Sequence, residues 1–110
     1  MSPTGELRPE NAEITLPGDD VIEVLREIEL ILISLHKMGS YYYAHPDAGV
    51  DVDEYRRETT RFIDERRVTR RLARARRILS EAFDSTLGDD DMDDLERAMQ
   101  GIDYWTPPTA

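Results

Sequence analysis

Apolar residues recur along this chain at three- and four-residue steps, and nowhere do they alternate with polar ones as in a strand. From Val21 to Tyr43 the stripe is Val21, Val24, Leu25, Ile28, Ile31, Leu32, Leu35, Met38 and Tyr42, with Leu30 and Ile33 projecting elsewhere. That spacing predicts a first helix over about 21–43. Asp19 or Asp20 is the expected cap, and Glu23 stands three residues after Asp20 as in a capping box. An apolar stripe this wide calls for cover on two sides, by the rest of the chain and by a second copy. Charged residues interrupt it too often for a membrane span of about 20 apolar residues.

Residues 44–50 hold His45, Pro46 and Gly49 and read as a turn, with Asp51 or Asp53 capping a second helix. From Asp51 to Thr86 no Gly or Pro intervenes, and Arg, Glu, Ala and Leu dominate, which predicts one long helix. A helix of 36 residues spans about 54 Å. Its apolar seam slips phase. Val52, Tyr55, Thr59 and Phe62 make one line; Val68, Leu72, Ala75, Leu79 and Ala82 make another. The six-residue step from Phe62 to Val68 sets the two about a third of a turn apart. Without a helix breaker there, the expectation is an unbroken rod whose halves face different neighbours.

Gly88 should end the long helix. Asp89, Asp90 and Asp91 then open a short third one that buries Met92, Leu95, Met99 and Ile102 and stops at Gly101, with Tyr104 and Trp105 tucking back. The expected fold is all-α: a long helical hairpin plus a short third helix, paired as a dimeric helical bundle with coiled-coil character. Residues 1–18, with three prolines, read as a flexible N-terminal arm. Residues 19–103 read as a single helical domain and 104–110 as a tail.

Charge changes this picture. The net charge is −10, yet Arg56 to Arg77 holds ten arginines against three acids, a local +7 that leaves −17 for the rest. Arg66, Arg67, Arg70, Arg71, Arg74 and Arg77 should form a ridge opposite the second seam. Such a ridge is solvated and neutralised by the chain's own acids (Asp89 to Asp94, or Glu23 and Glu27), or it meets an acidic protein, or it tracks phosphates. No Asn, Gln or Lys accompanies it for base readout and no aromatic interleaves it, which weighs against nucleic acid. Tyr41, Tyr43 and Trp105 are further candidate contacts, since Tyr and Trp anchor interfaces. Thirteen Arg against the lone Lys37 looks like the coding bias of a GC-rich bacterial genome.

Chemistry beyond binding finds little support. Cysteine is absent, which excludes disulfides, thiolate catalysis and Cys-based zinc sites. The Asp89–Glu96 run misses the calcium-loop pattern, because its sixth and twelfth positions are Asp94 and Gln100 rather than Gly and Glu. His36 and His45 lack partners at metal-ligand spacing. A mutase-like site gripping a dianion would need arginines converging from several helices, and the ridge is one-sided. The sequence therefore points to a small acidic cytoplasmic interaction module (adaptor, regulator or inhibitor). It is read as non-enzymatic, without cofactor or metal, homodimeric, and docking a partner with an acidic surface. Nucleic-acid binding through 56–77 is the alternative, and a small enzyme for an anionic substrate the remote one.

Overall fold

The computed structural model describes residues 7–43 and 51–108, and among these every regular element is helical. A 3₁₀ turn covers Pro9–Asn11. The α-helices are α1 (Gly18–Tyr43), α2 (Val52–Glu65), α3 (Val68–Ser80) and α4 (Asp94–Ala98). The expected turn over 44–50, with His45, lies outside the described residues. The chain forms two compact units: 16–79, and a second built from both ends, 1–15 with 80–110.

In the first unit α1 begins earlier than its acids suggest. The Pro17 carbonyl accepts from the amides of Asp20 and Val21, so Asp19 and Asp20 sit inside the first turn, against the positive end of the dipole. At α2 the expected cap is in place: the Asp51 carboxylate accepts the Glu54 amide at 2.9 Å.

The unbroken rod is corrected. Helix stops at Glu65 and resumes at Val68, with Arg66 as C-cap and Arg67 in the left-handed region at φ 52°. The Arg66 amide still reaches the Phe62 carbonyl, and the Arg67 amide reaches Asp64. The physical reason is the phase slip itself. Both seams belong against α1, and one left-handed residue supplies the rotation that an uninterrupted helix cannot. Tyr42 stacks edge-on against Tyr55 at 5.6 Å, Glu27 pairs with Arg71 and Glu23 with Arg74. Steps back along α1 are matched by nearly equal steps forward along α2 and α3, so both halves run antiparallel to α1 in one continuous register. Arg67→Gly removes the cost of holding a residue with a Cβ at positive φ, at some price in unfolded-state entropy. We expect it to stabilise the unit by about 0.5–1 kcal/mol, read as a higher urea midpoint at unchanged slope.

α3 also ends sooner than expected, at Ser80 rather than beside Gly88, which leaves Ala82 outside any helix. In the second unit α4 is short. Asp89–Asp91 form a turn instead of its first residues: Asp91 takes φ 61°, and Asp90 Oδ1 accepts the Met92 amide at 3.1 Å. Asp93 is the true cap, accepting from Glu96 at 2.7 Å. The helix closes before Met99, and Gly101 comes soon after at φ 83°. Met92 and Leu95 are half-buried, but Met99 and Ile102 are exposed, and Trp105 does not tuck back: it is 80% exposed.

Candidate interaction surface

The α1 stripe is split by the fold. Val24 is buried and Ile31, Met38 and Tyr42 are half-buried toward α2 and α3, whereas Val21, Leu25, Ile28, Leu32 and Leu35 stay exposed. At 100° per residue this second set lies about 75° clockwise of the first, viewed from the N-terminus of α1. On α2 and α3 the exposed Val52, Ile63, Leu72 and Leu79 lie some 40–80° clockwise of the inward residues Tyr55, Phe62, Val68 and Ala75. Those helices run antiparallel to α1, so the same sense of rotation carries both sets to the same side of the pair. The first unit is therefore a single layer of antiparallel helices with one apolar face. Leu25 and Leu32 on this face are 51% and 57% exposed.

The opposite side carries the charge. Arg71 Nη1 lies 3.3 Å from both carboxylate oxygens of the largely buried Glu27, and Arg71 Nε donates to the Arg66 carbonyl at 2.7 Å. One guanidinium thus ties α1 to α3 while capping the carbonyl freed by the break. Arg74 pairs with Glu23. Arg70, Ala73, Arg74 and Arg77 line an open groove of about 420 Å³. Arg66 and Arg67 sit in the break and do not continue this row. Of the acids expected to neutralise the ridge, Glu23 and Glu27 do so, while Asp90 and Asp94 serve Arg97 instead.

Tyr41 and Tyr43 are exposed at the end of α1, Tyr41 edge-on to Tyr42 at 4.9 Å and Tyr43 edge-on to Tyr55 at 5.4 Å. Burial raises the pKa of the Tyr42 phenol, and Glu54 and Glu58 nearby push it the same way. Trp105 belongs to the other unit, so the two units divide the aromatic candidates between them.

The second unit holds a polar core that sequence reasoning missed. Asn11 is 1% exposed and Asp94 2%. Asn11 Nδ2 donates to Asp94 Oδ2 at 2.8 Å and to the Asp84 carbonyl at 3.1 Å, and its Oδ1 accepts the Asp84 amide at 2.7 Å. The Arg8 amide also reaches Asp94 Oδ2 at 2.8 Å, while Arg8 Nη1 holds Asp84 at 2.7 Å. Residues 8–11 of the expected N-terminal arm are thereby stitched to the C-terminal segment. Arg97 donates to Asp94 Oδ1 and grips both oxygens of Asp90, each at 2.8 Å. Gly88 lies beside it, and a Cβ there would come within 2.8 Å of Arg97 Nη2, so a side chain at this position would shift the guanidinium. Only the Asp94–Arg97 spacing of three was legible as a helical pair.

These bonds hold three carboxyls below their ordinary range: Asp90 to about 2, chiefly through Arg97; Asp94 chiefly through the Asn11 amide; Asp84 chiefly through Thr86. Folded values lie below unfolded ones, so the unfolded state binds more protons as pH falls. The stabilisation is complete above the unfolded carboxyl range near pH 4 and disappears as pH drops through the folded values. We expect hydrogen-exchange protection of residues 84–98 to fall between about pH 4 and 2, with Asp90→Asn flattening the lowest part of that limb.

Among the described residues no group of three or more His, Cys, Asp or Glu is placed to hold a metal ion, and no helix is long and apolar enough to cross a membrane. His36 is exposed on α1. The chain is an all-α protein. No protein-family model matches it, and it has no match among curated proteins or solved structures.

Proposed function

We propose that this chain is a small interaction module, non-enzymatic, that works by completing a helical bundle with another polypeptide. The observation that carries this is the apolar face. Among the described residues only Val24, Val68 and Ala75 are buried hydrophobic positions, while nine large apolar side chains of the helical layer lie open on one side. A contiguous patch of that kind marks an interaction surface. The arginine groove on the opposite side is a second contact surface, suited to carboxylates of an acidic partner. Docking rather than chemistry is supported by the way the arginines are used: Arg71 and Arg74 pair with acids of their own chain.

Leu25→Asp combined with Leu32→Asp tests the reading. The double variant should lose the protein partner that wild type captures, while Arg70→Glu, on the second surface, weakens capture less. Fluorescence anisotropy of labelled duplex DNA should stay flat at every salt concentration. Binding that weakens with a logarithmic slope of about 0.9 per phosphate, and that vanishes in Arg70→Glu, would replace this reading with the nucleic-acid one.

A further inference from the structure

We propose that the occupant of the apolar face is a second copy of this chain, stacked so that α1 of each copy lies over α3 and α2 of the other, closing a four-helix bundle. The proposal rests on the reading of the chain as an interaction module and names its partner.

Area is the first argument. Nine half-exposed Val, Leu and Ile side chains offer on the order of 500 Å² per copy, hence about 1,000 Å² for a pair, the size at which a specific interface begins. Among the described residues these side chains of the layer are left exposed, and an identical layer supplies a matching apolar surface.

Register is the second. The pairs Tyr42–Tyr55, Glu27–Arg71 and Glu23–Arg74 place Leu25 level with Leu72, and Leu35 level with Ile63. A two-fold axis running along the helices preserves those levels. It sets Leu25 over the second copy's Leu72 and Leu35 over the second copy's Ile63, leucine and isoleucine knobs at both ends of the face. An axis across the helices would instead lay α1 on α1 and bring Ile63 against the arginines of α3.

Charge is the third. The first half of α1 carries Asp19, Asp20, Glu23, Glu27 and Glu29 against Arg26, a net of −4, and α3 carries five arginines and no acid. Stacking α1 over the other copy's α3 brings these oppositely signed helices together only at longer range, since Glu23 and Glu27 already pair with Arg74 and Arg71 of their own chain on the side away from the seam. The overall −10 opposes self-association, and the apolar area is what must offset it.

Because the chain has no cysteine, single-cysteine variants report the arrangement cleanly. Wild type should sediment as twice 12.7 kDa at tens of micromolar. An equimolar mixture of Leu25→Cys and Leu72→Cys, oxidised, should give the mixed disulfide several-fold over either symmetric one. Preference for the Leu25→Cys symmetric dimer would overturn the stacking. A wild-type monomer would overturn the second copy as occupant. If that monomer binds an apolar dye, and Leu25→Asp with Leu32→Asp abolishes the signal, the module reading survives without it. A monomer that binds no dye removes both.

Discussion

Asn11→Ala should open the second unit. The amide makes three bonds from a buried position: two as donor, to Asp94 and the Asp84 carbonyl, and one as acceptor from the Asp84 amide. Alanine removes all three and leaves their partners without replacement. At about 1 kcal/mol for each, the expected cost is roughly 3 kcal/mol, a large fraction of what so small a unit can hold. Hydrogen exchange is the direct readout: protection over 84–98 should collapse while α1 to α3 keep theirs, because the two units are compact separately. Asn11→Asp sharpens the test. It preserves the acceptor for Asp84 but turns a carboxylate toward Asp94, so its deficit should grow as pH rises above the carboxyl range. A variant as protected as wild type would mean the network is peripheral.

Arg71→Ala should be the most damaging arginine substitution in the helical layer. It deletes the donor to the Arg66 carbonyl at the break and strands Glu27, whose side chain is only 17% exposed. Hydrogen bonds involving a charged group run about 1.5–3 kcal/mol, and we expect a loss of about 2. Arg71→Lys restores the charge opposite Glu27 but lacks the fork that serves both partners, so it should recover only part. Arg70→Ala, on the rim of the groove, should change stability by less than about 0.5 kcal/mol. Denaturant midpoints of the three variants separate these roles, and a double-mutant cycle with Glu27→Gln isolates the pair. Equal effects at positions 70 and 71 would remove Arg71 from the break.

The helical periods made α1, the Asp51 cap and the antiparallel pairing legible. The phase slip at Phe62–Val68 was legible too, but its resolution was not. Arg67 carries no mark that it takes a left-handed conformation, and only the demand that both seams meet α1 selects it. The width of the α1 stripe foretold that part of it would lack cover within the chain. Which part does so depends on where α2 and α3 lie, a tertiary fact. Least readable was Asn11. A single polar residue in a proline-rich stretch has no period, and its value comes from partners more than seventy residues away. Asp89–Asp91 misled for a related reason: acids favour a helix start and a turn alike, and only Asp93 makes the capping bond.

The bonds of Arg8 and Asn11 to Asp84 and Asp94 span 73 to 86 positions of sequence. In kinetic terms they are a clasp on a long loop. Nearly all the entropy of closing it must be lost before the first of these bonds forms, whereas the helices between them assemble from shorter-range contacts. The layer should therefore fold first and bring the ends within reach, with the clasp shutting last. The same order in reverse makes the clasp the first part to let go. Proteolytic cuts near residue 12 and near residue 84 should then appear together, at one rate, since neither strand of the clasp has its buried partner once the other has left.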